Sequence, residues 1–366
     1  MLLFLIFFGA AVDKLSLPIL RRIAEPDIWP PFHIYIYPTS KFPKKYLTPV
    51  QNPRFKLEND LPTLIKQSKA YTSDINKADM FLIPCPLSEM SLTTFSEFLD
   101  HVKNLDYHYE EYLGANFIFL HSRFPELTGT SINQNNFLSL PSHIITSGYD
   151  INGDIYKTWI FAKNALLPLQ PRTKFITPKI EKKMQIVIDD SVEGCLPEKI
   201  IIRHNISKYL GNKKGFIIAK TKAEAQKLIE ESSFAIVTAC ESPMADQFYD
   251  AINSNTIPIV LNNVMRFPFE NELIDYRKFV FQFDEYDPLK IEKQFEKIMF
   301  GNQKKVKKMR ETMVDARKML EPIPGDGGYI WALTWSLYIK FLAWLPIRRT
   351  KIADAIFHEQ NVFHAL

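Results

Sequence analysis

Short apolar segments alternate with longer segments of helical periodicity along much of this chain, and this alternation constrains its fold most strongly. Residues 79–84 (DMFLIP) and 116–120 (NFIFL) are apolar runs of strand length, and residues 32–37 (FHIYIY) alternate as a strand does. Between the two apolar runs, residues 87–113 are long enough for one or two helices. Strands separated by helices pair in parallel through right-handed crossovers, so the pattern predicts an α/β fold with a parallel sheet.

The same alternation restarts at Met184, after a stretch richer in Pro, Gly, Asn and Thr. A length of 366 residues is enough for two domains, and we predict α/β domains at 25–180 and 184–322 with a boundary near 175–184. When two such domains are joined by a linker, the cleft between them is the usual place for a ligand. The elements predicted for the second domain are strands 185–189, 215–219, 234–239, 257–261 and 278–283, and helices 197–210, 222–231, 243–253, 288–300 and 302–320.

Charge and cysteine content exclude several classes of protein. The chain has 45 Lys and Arg against 41 Asp and Glu, and a net charge of +4 gives no reason to expect a nucleic-acid partner. An apolar fraction of 46% excludes disorder of the whole chain. The three cysteines lie far apart, which argues against a structural zinc site and leaves open which pair, if any, forms a disulfide.

Two apolar segments raise the question of a membrane. Residues 1–12 (MLLFLIFFGAAV) are too short to cross a hydrocarbon core of about 30 Å. They match the apolar region of a signal peptide or an anchor, and the alternative is a buried strand or helix of an incomplete N-terminus. We therefore expect entry into the secretory pathway, with which the glycosylation sequon at 205–207 is compatible. Residues 329–345 contain Lys340 and are apolar around most of a helix, which favours a buried or interface helix over a tail anchor.

The segment 233–260 carries the clearest chemical signal. A buried strand is predicted to end at Ala239, and Ser242-Pro243 then open a helix, because Ser is a good N-cap and Pro suits the first helical position. Such a helix N-terminus at the carboxyl end of a strand favours a phosphate or diphosphate. Asp250 falls two turns further on, where a carboxylate could reach ribose hydroxyls.

Six motifs follow one another along about residues 32–300. They are His33-Ile34-Tyr35-Ile36-Tyr37; Thr72, Asp74, Ala78, Asp79, Phe81 and Pro84; Lys163-Asn164-Ala165-Leu166-Leu167-Pro168; Ser242-Pro243 with Phe248-Tyr249-Asp250-Ala251-Ile252 and Ile257-Pro258-Ile259-Val260; Phe267-Pro268-Phe269-Glu270; and Asp275-Tyr276-Arg277-Lys278-Phe279. This series resembles the exostosin-like glycosyltransferases, whose signature around the fourth motif reads S-P-x-x-x-R-L-F-D-A-I-x-x-G-x-I-P-V-I.

The resemblance implies a GT-B-like fold in which two Rossmann-like domains face an interdomain cleft. It implies an inverting enzyme of hexosyl or glycuronosyl type that moves a sugar from a nucleoside-diphosphate sugar, expected to be a UDP-sugar, to a glycan or glycoprotein hydroxyl. The first domain would bind the acceptor and the second the donor, and a C-terminal helix at 326–346 would cross back to the first domain. We expect that the protein requires no cofactor and binds no nucleic acid. We also expect a Golgi location with attachment to the membrane through the N-terminus.

The chain departs from the family pattern beside the expected diphosphate. Asp246-Gln247 stand where the family usually has basic residues, and Thr238-Ala239-Cys240-Glu241 stand where it usually has Cys-x-Arg-Gly-Asp. The missing cation would have stabilised the charge of the leaving group, and Glu241 or Asp246 near a diphosphate would repel it. Arg203 is one candidate replacement, and Arg172 and Lys174 are others. The loss also leaves open a non-catalytic pseudo-glycosyltransferase that binds glycan or a partner protein. A third alternative is an unrelated α/β enzyme of sugar phosphates.

Displacement at the anomeric carbon also needs a base to take the proton of the acceptor hydroxyl. His121 directly follows the strand at 116–120, and Glu126 lies in the next loop, so these two residues are the candidates from the first domain. A strict Asp-x-Asp metal motif is absent, and GT-B enzymes generally need none. Asp189-Asp190 is a weak alternative site for a metal.

Overall fold

The computed structural model describes the core of two α/β units. The described residues are 29–51, 56–88, 90–111, 114–121, 142–146, 165–168, 182–191, 197–238, 246–261, 267–270, 272–283, 288–301, 303–321 and 327–348. The apolar segment 1–12 and the cysteines Cys195 and Cys240 lie outside them.

The first unit is a six-stranded sheet in the order β2-β1-β3-β4-β5-β6, with every neighbouring pair parallel. Every residue of β3 is buried, as the apolar run at 79–84 predicts for a strand covered on both faces. The bounds are β1 (Ile34–Ile36), α1 (Leu57–Lys66), β2 (Tyr71–Thr72), β3 (Met80–Pro86), α2 (Leu92–Lys103), α3 (His108–Glu111), β4 (Phe117–Leu120), β5 (His143–Thr146) and β6 (Ala165–Leu166).

The helices of this unit cover opposite faces of the sheet. Leu61 of α1 belongs to the same buried cluster as Ile34 of β1, whereas Phe98 of α2 belongs to a second cluster with Phe81 of β3. The chain leaves β1 toward β2 and leaves β3 toward β4, which lie on opposite sides. Strand order therefore reverses between β1 and β3. In open α/β sheets, ligands bind outside the carboxyl ends of the strands at such a topological switch point.

The second unit is a five-stranded parallel sheet in the order β11-β10-β9-β7-β8. Its switch point lies between β7 and β9, because the chain passes from β7 to β8 on one side and from β9 to β10 on the other. The bounds are β7 (Lys183–Asp189), α4 (Pro197–Leu210), β8 (Phe216–Ala219), α5 (Lys222–Glu231), β9 (Ser232–Val237), α6 (Asp246–Asn253), β10 (Ile257–Leu261), β11 (Phe281–Phe283), α7 (Pro288–Gly301), α8 (Gln303–Lys318) and α9 (Gly328–Arg348).

These two sheets confirm the predicted α/β class and the two Rossmann-like units of a GT-B-like fold. The helices at 197–210 and 222–231 and the strand at 257–261 have their predicted bounds. The strand expected at 278–283 is wrong in its first half, because residues 276–278 form a 3-10 helix that hydrogen bonds within itself. Helix α1 and strand β2 were not predicted from the sequence.

The C-terminal helix α9 packs against both halves of the described chain. The rings of Tyr338 and Phe341 lie 5.8 and 5.5 Å from the ring of Phe32, which precedes β1. Lys340, only 6% exposed, donates a hydrogen bond to Glu272 in the segment after β10. One continuous buried cluster includes Leu333 of α9 together with residues of both sheets. Among the described residues, no helix has the length and apolar character needed to cross a membrane.

Tyr37, Asp106 and His108 form a polar cluster where the chain passes from α2 to α3. The hydroxyl of Tyr37, whose side chain is fully buried, donates to Asp106 Oδ2 at 2.7 Å. Asp106 Oδ1 lies 3.0 Å from His108 Nδ1. Burial, together with the hydrogen bond to Asp106, raises the pKa of Tyr37 far above its ordinary value, so this hydroxyl stays protonated and acts as a structural donor.

We predict that Leu333→Ala lowers the free energy of unfolding by about 2–5 kcal/mol, because it opens a cavity where α9 meets the shared core. The measurement is equilibrium urea unfolding. Leu289→Ala makes the same chemical change at a side chain that is 56% exposed, and it should change stability by less than about 0.5 kcal/mol. Equal effects of the two substitutions would contradict a core role for α9.

Candidate functional site

In open parallel sheets, ligands bind outside the carboxyl ends of strands at the switch point. In the second sheet this place is bounded by Asp189 at the end of β7, by Ser191 just after it and by Thr238 after β9. All three residues are buried, with exposures of 7%, 3% and 5%. The polar groups at this switch point are therefore held by contacts within the chain.

Arg203 of α4 joins these two strand ends. Its Nε donates to Thr238 Oγ1 at 2.7 Å, its Nη1 to the carbonyl of Ser191 at 3.0 Å, and its Nη2 to the carbonyl of Thr238 at 3.3 Å. The side chain is only 4% exposed. A planar guanidinium with donors in a fixed fork suits this task, which a lysine could not perform with the same geometry.

Asp189 connects the same strand end to α6. Its Oδ1 accepts the backbone N–H of Ser191 at 2.8 Å, and its Oδ2 lies 3.8 Å from Arg203 Nη1. The same Oδ2 accepts a hydrogen bond from Nε2 of Gln247, in the first turn of α6. Gln247 is the residue that stands at the Arg position of the family signature. Here an arginine from α4 and a glutamine from α6 converge on one buried carboxylate.

The structure separates the two aspartates that the sequence offered as a weak metal site. Asp190 does not share the partners of Asp189: it lies 2.6 Å from Lys220 Nζ and 4.0 Å from His204 Nδ1. Within the described ranges, no group of three or more His, Cys, Asp or Glu side chains is arranged to hold a metal ion. Lys220, which sequence reasoning missed, follows β8 and places a largely exposed cation at the carboxyl edge of the sheet.

Asp250, the residue expected to reach ribose hydroxyls, lies on α6 and is only 3% exposed. Its neighbours Phe248, Tyr249 and Ala251 are buried as well, so α6 is covered around most of its circumference here. The other donor-side candidates, Glu241, Ser242 and Pro243, lie outside the described residues, as do Arg172 and Lys174.

In the first sheet, His121 stands at the carboxyl end of β4, as predicted. Its backbone N–H donates to the carbonyl of Ile145 at 3.0 Å, and the residue is 1% exposed. The second catalytic candidate, Glu126, lies outside the described residues.

Sequence reasoning missed a buried acid at the switch point of the first sheet. Glu58, in the first turn of α1, is 3% exposed and accepts hydrogen bonds from both the backbone N–H and the hydroxyl of Ser88. Ser88 follows the end of β3 by two residues. A prediction of helix α1 from the sequence would have placed Glu58 in the first turn of that helix.

The chain matches one family model over most of its length. The model describes the Exostosin GT47 domain, and it matches residues 28–298, which is about three quarters of the chain and includes every strand of both sheets. Comparison with curated proteins gave no match.

A search of solved structures matched glycosyltransferases among others. TarM from S. aureus, a mutant in complex with fondaparinux, α-GlcNAc-glycerol and UDP, is 9% identical with a TM-score of 0.35 over 81% of this chain and 58% of that one. Another TarM structure is 8% identical with a TM-score of 0.32, over 65% of this chain and 55% of that one. The glycotransferase of kitacinnamycin is 7% identical with a TM-score of 0.36, over 84% and 98%. The chain thus spans little more than half of the TarM chains.

We predict that Arg203→Met lowers the free energy of unfolding by about 3–5 kcal/mol, because it leaves the carboxylate of Asp189 buried without its cation. The measurement is urea unfolding of the purified chain. Arg277→Met is the control, since the Arg277 side chain is 84% exposed and its pair with Asp275 should contribute less than about 1 kcal/mol. If Arg203→Met is as stable as this control, Arg203 does not hold the strand ends together.

Proposed function

The chain belongs to the exostosin GT47 family of glycosyltransferases, and from this premise we propose that it moves a sugar from a UDP-sugar to a hydroxyl of a glycan or glycoprotein with inversion at the anomeric carbon. The observation that carries this proposal is the family match at 28–298, because it covers both sheets and therefore both of their switch points. The transferred sugar is a hexose or a hexuronic acid.

The donor side is the carboxyl edge of the second sheet. We assign the diphosphate to the helix start that the sequence predicts at Ser242-Pro243, with Glu241 next to it in the sequence, and the ribose to Asp250. This assignment is supported by the place of that segment in the sequence, a few residues after β9, whose carboxyl end borders the switch point. No metal is needed when fixed donors and a cation neutralise the diphosphate.

Arg203 contributes to this site mainly by holding the two strand ends in place. Three of its N–H groups are used by Thr238 and Ser191, so the guanidinium fixes the strand ends from which the diphosphate segment departs. Its charge remains at the switch point, where it offsets part of the negative charge of Asp189 and of a bound diphosphate. Arg203 therefore serves both as a support and as a cation near the leaving group.

The reaction needs one proton acceptor from the first sheet. The acceptor oxygen forms a bond to the anomeric carbon, the bond from that carbon to the diphosphate oxygen breaks, and its electron pair leaves with UDP. The acceptor hydroxyl gives its proton to a base, for which His121 and Glu126 are the sequence candidates. Placement of His121 at the carboxyl end of β4 is consistent with this role.

A non-catalytic glycan- or partner-binding protein is the second candidate function. It is favoured by the acidic residues Glu241 and Asp246 and by the glutamine at the signature's arginine position, which is engaged with Asp189. Such a protein would keep the fold and lose affinity for the diphosphate.

We further propose that the protein works in the secretory pathway, in the Golgi lumen or at its membrane. The support is the apolar segment 1–12, which suits a signal peptide or an anchor. A glycan on Asn205, whose side chain is exposed on α4, would be compatible with that location.

Isothermal titration of the full chain with UDP, GDP and CMP separates the two functions. The enzyme should bind UDP with a Kd below about 1 mM, and EDTA should not change that Kd. Arg203→Lys should weaken UDP binding by about tenfold or more, because lysine cannot hold both strand ends. Arg277→Lys is the matched control and should bind as the unmodified chain does.

Binding of none of the three nucleotides at millimolar concentration would overturn the enzyme proposal and favour the binding protein. Release of UDP from UDP-sugars in the presence of a glycan array then tests transfer directly. Binding of UDP without transfer to any acceptor would also count against the enzyme.

A further inference from the structure

Glu58 is a buried acid that the proposed reaction, as assigned from the sequence, does not use. It lies in the first turn of α1 with 3% exposure, and its two carboxylate oxygens each accept a hydrogen bond from Ser88. One donor is the backbone N–H of Ser88 at 3.3 Å and the other is its hydroxyl. The pair fixes the plane of the carboxylate.

Glu58 and Ser88 lie at a place in the sheet topology where ligands usually bind. Strand order reverses between β1 and β3, and Ser88 follows β3 by two residues. Glu58 is therefore tied to the carboxyl end of β3 at the switch point, where open α/β sheets bind their ligands. The second sheet also has buried charged side chains at its switch point, Arg203 and Asp189.

His121 follows a strand that does not border the switch point, whereas Ser88, the partner of Glu58, follows one that does. The strand before His121 is β4, which pairs with β3 and β5, and the backbone N–H of His121 is bound to Ile145 of β5. The chain after β3 remains beside β4, because the N–H of Leu87 donates to the carbonyl of Leu120 at 3.0 Å. Ser88 and His121 thus follow neighbouring strand ends, and only Ser88, with Glu58, borders the reversal of strand order.

We propose that Glu58 is the catalytic base of the transfer and that Ser88 is its positioning residue; this rests on the proposed function. A carboxylate oxygen of Glu58 takes the proton of the acceptor hydroxyl as the acceptor oxygen bonds to the anomeric carbon. The bond from that carbon to the diphosphate oxygen breaks, and UDP leaves with the electron pair. The protonated Glu58 returns its proton to solvent after the products depart. Ser88 aims the carboxylate through its two hydrogen bonds.

The test compares Glu58→Gln with Glu110→Gln in the full chain. Glu110 is an exposed glutamate of α3 and is the matched control. Transfer is followed as UDP release from UDP-hexoses and UDP-hexuronic acids on a glycan array. Glu58→Gln should lower kcat/KM by about 100-fold or more, the usual effect of losing a general base, while the Kd for UDP changes by less than about twofold. Glu110→Gln should leave both values unchanged.

A second variant excludes a merely structural role. Glu58→Ala should lose transfer, and added formate, a small carboxylate that can occupy the vacated space, should restore it by about tenfold or more. Ser88→Ala should reduce kcat by about tenfold with KM nearly unchanged, since one of the two aiming hydrogen bonds remains.

The outcomes separate this inference from the proposed function. An unmodified chain that transfers no sugar overturns both. An active chain whose Glu58→Gln variant keeps its kcat/KM within about threefold overturns the role of Glu58 alone, as does failure of formate to restore Glu58→Ala. Loss of activity in His121→Asn with full activity in Glu58→Gln would return the role to His121.

Discussion

Parallel strands depend on cover from both sides, because their hydrogen bonds are stable only away from competing water and their side chains alternate between two apolar faces. In this chain the strand β3 is buried along its whole length, with α1 on one face of the sheet and α2 on the other. Covering both faces obliges the chain to turn one way after β1 and the other way after β3. The two switch points, beside which the polar groups lie, thus follow from how the sheets are covered.

Much of the fold followed from local pattern, and what failed has a local reason. Helix α4 and strand β10 matched their predicted bounds because their length and flanking turns are typical. Helix α1 was not predicted, since Pro62 lies inside it and proline usually ends a helix. Strand β2 has two residues, too few for any periodicity to be recognised. Its pairing with β1 is decided by the fold and not by its own sequence.

The sequence allowed us to propose where the candidate site lies, but it did not show which side chains hydrogen bond to one another there. The turn after β9 could be placed at a sheet edge from the sequence, and Arg203 could be proposed as a cation. Its hydrogen bonds to Thr238 join residues 35 apart, and those of Glu58 to Ser88 join residues 30 apart. Such contacts depend on which strand ends become neighbours, and strand order is a property of the whole sheet. A compositional search for charged residues cannot reveal it.

The position of α9 has a consequence for synthesis of the protein. Phe32, before the first strand, packs on Phe341, which leaves the ribosome 309 residues later. At about 5–20 residues per second, that interval is roughly 15–60 s. During this interval the first sheet lacks part of its apolar cover. The nascent chain exposes an aromatic surface until its own C-terminal helix packs on it. A chain truncated before α9 would leave this surface uncovered.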